Sequence, residues 1–159
     1  MFKRLLPQRI DNTYHGYKLA LWLFGLVVSV KMLQGLMAIF NGYSIAGSAD
    51  GIPLDTYSSE AAQTVLALFA ISGLARLIMS LLCILALVRY RSAITFMFAL
   101  LGLDYLARQL ILHFLPIVRA GTPPGVVMNL ILFALTIVGL ALSLWNRGNP
   151  EISAAEARH

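Results

Sequence analysis

Residues 61 to 88 read AAQTVLALFAISGLARLIMSLLCILALV. One arginine, Arg76, is the only full charge in these 28 positions. A span of about 20 apolar residues is enough to cross a bilayer as a helix. A transmembrane β-strand would instead show segments of about 10 residues with alternating polarity. The apolar residues here run as a continuous block, so the stretch is read as a membrane-spanning helix.

Three further blocks have the same character. The expected spans are 17–40, 61–88, 93–115 and 126–145, within a transmembrane domain over 17–146. The composition agrees. The 159 residues are 59% hydrophobic and 12% charged, with a mean hydropathy of +0.80. Soluble domains carry about 25% charged residues, so lipid is the expected solvent for most of the surface. The expected fold is an all-α membrane protein, four transmembrane helices in a bundle. An arm over 1–16 and a polar tail over 147–159 flank it.

Local signals set the expected boundaries. Asn41-Gly42 suits a helix C-terminus. Ser58, followed by Glu60, suits the start of the second helix. Ser92 is expected to cap the third, and Pro116 to end it. Thr122-Pro123 places a hydroxyl and a proline before the fourth. Arg147-Gly148, with Pro150 beyond, is expected to close it. The first block is too long for a cleaved signal peptide.

Lysine and arginine orient the chain. Lys3, Arg4, Arg9, Lys18, Arg89, Arg91, Arg147 and Arg158 share one side, and only Arg119 falls in a loop on the other. That asymmetry places both termini in the cytoplasm. Trp22, Tyr90 and Trp145 then fall near the inner interface, and Tyr43 and Tyr57 near the outer one. The acids of the 41–60 loop (Asp50, Asp55 and Glu60) are read as a solvated outer face. The net charge of +5 does not point to nucleic acid, because the bases flank apolar runs instead of forming a stripe.

Four charged side chains lie deep in the spans: Lys31, Arg76, Asp104 and Arg108. Each costs about 2.5 to 3.5 kcal/mol at a helix centre, whereas each Leu, Ile or Phe returns about 0.3 to 0.6. The third helix holds twelve of those apolar residues, worth roughly 6 kcal/mol, which Asp104 and Arg108 together nearly cancel. The two are four residues apart and so face one way. They can neutralise each other, which leaves Lys31 and Arg76 with no acid at their depth. Three bases and one acid leave a surplus of +2.

The neighbours suggest an interior polar layer. Ser72, Arg76 and Ser80 form one row on the second helix. Gly25 and Ser29 form a small-residue pair on the first, where Lys31 lies beside Gln34 and Gly35. Tyr105, Gln109 and His113 form a second row on the third. The fourth helix has only Asn129, Thr136 and Ser143, and is read as a lipid-facing or scaffold helix. The candidate ligand or polar-core residues are Lys31, Arg76, Asp104, Arg108, Gln109 and His113.

No nucleophile–base pair, phosphate loop or pair of carboxylates appears at a diagnostic spacing, so no catalytic residue is assigned. His113 has no metal-ligand partner at the spacing of a zinc site. The single cysteine, Cys83, excludes an intrachain disulfide. No cofactor is implied.

Short stretches carry a resemblance. KMLQG at 31–35, LARLI at 74–78, RYR at 89–91, Asp104, MNLIL at 128–132 and WNR at 145–147 resemble a family of small four-helix bacterial membrane proteins of unknown function. After Ile78 the chain departs from that pattern, since MSLLCIL holds no acid and no glycine where both are expected. The resemblance implies a bacterial cytoplasmic (inner) membrane and supplies no activity.

The functional expectation is a small accessory or interaction protein. Its partners are the lipid bilayer and an anionic lipid or small anion, with a second copy or another membrane protein as the further class. One alternative is a transporter or channel subunit with Asp104 and Arg108 as an ion or proton relay. Another is a membrane enzyme on a lipid or quinone, with His113 or Tyr105 near the outer interface.

Overall fold

The computed structural model describes residues 12, 14, 16–119 and 121–145. The expected tail lies outside the described residues, and with it the helix end at Arg147-Gly148; so does the arm except Asn12, Tyr14 and Gly16. Four long helices follow in order: α1 (Lys18–Phe40), α2 (Ser59–Arg89), α3 (Ile94–Phe114) and α4 (Pro124–Leu144). No strand occurs among the described residues. All four helices are long and apolar enough to cross a membrane. Their exposed faces carry large apolar side chains such as Leu26, Leu68, Leu81, Leu103, Leu110 and Ile131. A water-soluble monomer does not display contiguous apolar surface on that scale, so this is a multi-pass membrane protein.

Some of the expected boundary chemistry differs from what forms. The Ser58 hydroxyl does accept the Ala61 N–H at 3.3 Å, as an N-cap should. Ser92 does not cap α3. It lies inside a tight turn over Arg91–Ala93, and Ala93 already has helical backbone angles at the N-cap position. Thr122 is one residue early for capping, since Pro123 is the N-cap and Pro124 opens α4. Gly42 does not end α1 in the left-handed region. Asn41 caps it, its N–H bonding the Met37 carbonyl. The chain continues through a single turn (Gly42–Ser44) into a wide turn (Ile45–Ala49).

The 41–58 segment is therefore ordered. Ala46, Ile52 and Leu54 form a small apolar cluster over Val65, Leu66 and Phe69 of α2. Backbone bonds from Asp50 N–H to the Ile45 carbonyl and from Ile52 N–H to the Ala46 carbonyl hold it. The Tyr43 hydroxyl donates to Asp55.

The most extensive helix contact joins α1 and α2. It turns on two glycines. A Cβ built on Gly73 would stand 2.8 Å from the Gly35 carbonyl oxygen and 2.9 Å from the Ala38 Cβ. One built on Gly35 would stand 3.0 Å from the Gly73 carbonyl oxygen. The backbones touch, as small residues allow in lipid, where packing and not the hydrophobic effect drives association. The Gly25–Ser29 pair serves the α1–α2 contact through Gly25 alone. Gly25 faces the Leu87 side chain at 3.7 Å, and Ser29 is exposed.

α4 also packs on α1 and α3, whereas α2 and α3 touch much less. The inward face of α4 buries Leu132, Thr136, Gly139 and Ser143, which fits a scaffold helix. The main apolar cluster joins Phe24, Val27 and Val28 of α1 with Cys83, Ile94, Phe98, Leu101 and Leu132. Phe24 and Phe98 meet edge to face, centroids 4.9 Å apart. This cluster fills the half of the protein at the start of α1 and the end of α4. In the other half α3 contributes nothing buried beyond Gly102, so its seam with α2 is open there.

Gly73→Ala should therefore cost about 1 to 3 kcal/mol, the usual cost of overpacking a close contact. Gly102→Ala meets nothing within 4 Å and should be neutral, or stabilising by about 1 kcal/mol through helix propensity. Unfolding titrations in mixed micelles compare the two; equal losses would remove the special status of the Gly35–Gly73 crossing.

Candidate functional site

The glycine crossing decides which charges meet. Gly35 lies against Gly73 and Leu77, and Gly73 against Ala38 and Ile39, so α1 and α2 run antiparallel there. Lys31, one turn before Gly35, thus comes within about one helical turn of the level of Arg76, just beyond Gly73. From α3, Asp104 and Arg108 face the same region. Lys31 lies within coulombic range of Asp104, Arg76 and Arg108. Arg76 lies within range of Arg108, Asp104 and Asp50. Four of the six candidate residues, Lys31, Arg76, Asp104 and Arg108, are thus brought together.

Within this layer the bonding is sparse. Arg108 Nε donates to Asp104 Oδ1 at 3.0 Å, the intrahelical pair that the i,i+4 spacing predicts. Arg108 Nη1 reaches across to the Ser72 hydroxyl at 3.5 Å. Ser80 does not bond the Arg76 side chain. Its hydroxyl, in the helix interior, donates to the Arg76 carbonyl at 2.9 Å. Neither the Arg76 guanidinium nor the Lys31 ammonium has a hydrogen-bond or ion-pair partner among the described residues. The Gln34 Oε1, one turn from Lys31, is buried without a donor among them.

Asp50 corrects the expectation of a solvated outer face. It is half-buried, because the ordered 45–52 turn carries it inward against α4. Its carboxylate oxygen would be 2.9 Å from a Cβ on Gly125, and the Ala49 carbonyl 2.6 Å from it. Only glycine at 125 lets the turn seat that deeply. Burial pushes the Asp50 carboxyl above the usual carboxylate range, opposed by the nearby Arg76 and Arg119. The Arg119 Nε is itself buried with no acceptor among the described residues. The layer therefore extends to Asp50 and Arg119, both outside the four long helices. The legible signal was the run Ile45, Ala46, Ile52, Leu54, too apolar for a free loop. Counted together, Lys31, Arg76, Arg108 and Arg119 against Asp50 and Asp104 give four bases and two acids, again a surplus of +2.

Gln109 and His113 are not brought into this layer. Both are exposed, and His113 lies edge-on to Phe114 with centroids 5.5 Å apart. Tyr105, one turn before Gln109, stacks on Phe133 of α4 at 4.3 Å. The row is real as a helix face, but it points away from the charges. Among the described residues no three His, Cys, Asp or Glu side chains gather as metal ligands would. Cys83 is buried in the apolar cluster.

No family model, curated protein or solved structure matches the chain.

Two outcomes follow from this geometry. Asp104→Ala removes the acceptor of Arg108 and should destabilise by about 1.5 to 3 kcal/mol, the value of a hydrogen bond to a charged group. Adding Arg108→Leu should restore part of that loss; strictly additive losses in the double-mutant cycle would show that the pair is uncoupled. Asp50 binds its proton more readily folded than unfolded. Stability should therefore fall as pH rises from the ordinary carboxylate range through the raised value of Asp50. In Asp50→Asn that slope should vanish, as read by amide exchange over 45–52 at several pH values.

Proposed function

We propose that this chain is a small polytopic accessory or interaction protein of a bacterial inner membrane, whose basic layer holds the anionic group of a ligand or partner. One observation carries the proposal: four bases converge with two acids, and Arg76 and Lys31 have no bonded partner among the described residues. Arginine does not discharge by losing its proton. An unpaired guanidinium at membrane depth is costly, and an anion relieves that cost directly. A non-enzymatic role is favoured because the layer holds no arrangement of nucleophile and base.

Delipidated protein in neutral detergent should gain thermal stability when anions are added. A ligand at 100 times its Kd contributes about 2.7 kcal/mol. Sulfate, phosphate, anionic lipid and acidic peptide are the probes, with chloride as reference. Ser72→Asp, which supplies a carboxylate beside Arg108, should blunt the response. No stabilisation by any anion would sink the proposal.

The bulk of the lysines and arginines lies at the chain ends and at the 89–91 turn, which supports cytoplasmic termini. A C-terminal green fluorescent protein fusion should fluoresce and an alkaline phosphatase fusion should be inactive; the reverse pattern would invert the topology.

A further inference from the structure

The basic layer is open on one side, and that side faces lipid. α2 and α3 touch little. Beyond Gly102 no residue of α3 is buried, although Asp104 and Arg108 sit there. Their side chains are 33% and 39% exposed, far more than an ion pair sealed in a helix interface would be. The Arg108–Ser72 bond, at 3.5 Å, is a long reach across this gap. The walls of the seam are membrane-spanning helices. Arg108 lies six residues before the end of α3, about 9 Å along the axis. A headgroup in the leaflet at the 41–58 end need sink only that far to meet it.

We infer that the layer takes the phosphate of a membrane lipid, admitted sideways between α2 and α3, and that it favours a phosphate monoester. The inference rests on the anion-holding role proposed above. The charge balance selects the class. A phosphate monoester carries about −1.5 to −2 at neutral pH, which matches the surplus of two positive charges. A diester headgroup carries one negative charge and a phosphocholine none net, so each leaves part of the surplus in place. Guanidinium groups suit this ligand, since their paired N–H donors match phosphate oxygens. Arg76 has its whole guanidinium uncommitted among the described residues, and Arg108 uses only Nε and one long Nη1 contact. Lys31 supplies a third positive group, and Asp104 keeps Arg108 oriented. The acyl chains would lie along the apolar outer turns of α2 and α3, which are in lipid in any case.

The full chain is reconstituted in nanodiscs of phosphatidylcholine doped with equal fractions of phosphatidic acid and phosphatidylglycerol. It is then released for native mass spectrometry, and the retained lipids are counted. Phosphatidic acid should be retained about tenfold over phosphatidylcholine, with phosphatidylglycerol between them, a difference of about 1.4 kcal/mol across that range. Arg76→Gln should bring phosphatidic acid down to the phosphatidylcholine level. Gln109→Leu, on the far face of α3, should change nothing. Should Arg76→Gln fail to fold, Arg76→Lys keeps the charge, loses the paired donors, and should still lower retention. Equal retention of the three lipids overturns the inference. Stabilisation by inorganic phosphate with no lipid preference also overturns it, while leaving the anion-holding role intact. No response to lipid or to any free anion removes both.

Discussion

The contact between Gly35 and Gly73 governs the rest of this protein. In lipid, helices gain little from hiding apolar side chains from one another, because the bilayer is equally apolar. What remains is close packing, and it is strongest where two backbones can touch. The two missing Cβ atoms permit that approach, and no other residue pair at this crossing would. Antiparallel contact at these positions then brings Lys31 and Arg76 within about one helical turn of each other's level on adjoining helices. Two like charges at membrane depth are unfavourable together, so the crossing creates an electrostatic demand as well as a fold.

The rest of the charge arrangement answers that demand in part. Asp104 supplies a carboxylate from α3 but is hydrogen-bonded to Arg108. Asp50 comes in from the 41–58 segment, seated against Gly125. Each acid arrives with a base of its own nearby, Arg108 in one case and Arg119 in the other. The balance is +2 both for the four inner charges and with Asp50 and Arg119 added. That surplus, and the bare guanidinium of Arg76, are what support the proposed external anion.

The two halves of the protein divide the work. At the start of α1 and the end of α4, Phe24, Phe98, Cys83 and their neighbours close the helices over an apolar core, and Thr95 and Ser143 hydrogen-bond between α3 and α4. Toward the 41–58 end, α3 leaves the core and the charged side chains appear. A dry, packed half fixes the helices so that the open half can be polar without unfolding. The ordered 45–52 turn caps the open half and contributes Asp50 to it.

Amino-acid order alone determined the four spans, since continuous apolar runs of that length have no other solution in lipid. It also determined the Asp104–Arg108 pair, because the i,i+4 spacing lies within one helix and needs no partner element. The Ser72, Arg76 and Ser80 row was legible for the same reason, although what Ser80 bonds was not. Tertiary structure alone decided which row faces which helix. Gln109 and His113 have the same spacing and polarity as the charged row, yet they point outward, because α3 turns the Asp104 side toward α1 and α2. It also decided the role of Asp50, whose position depends on a turn folding back onto a glycine 75 residues away in sequence. Local periodicity fixes which side chains share a face. Only packing between distant helices fixes where that face points, and so which charges are left to seek a partner.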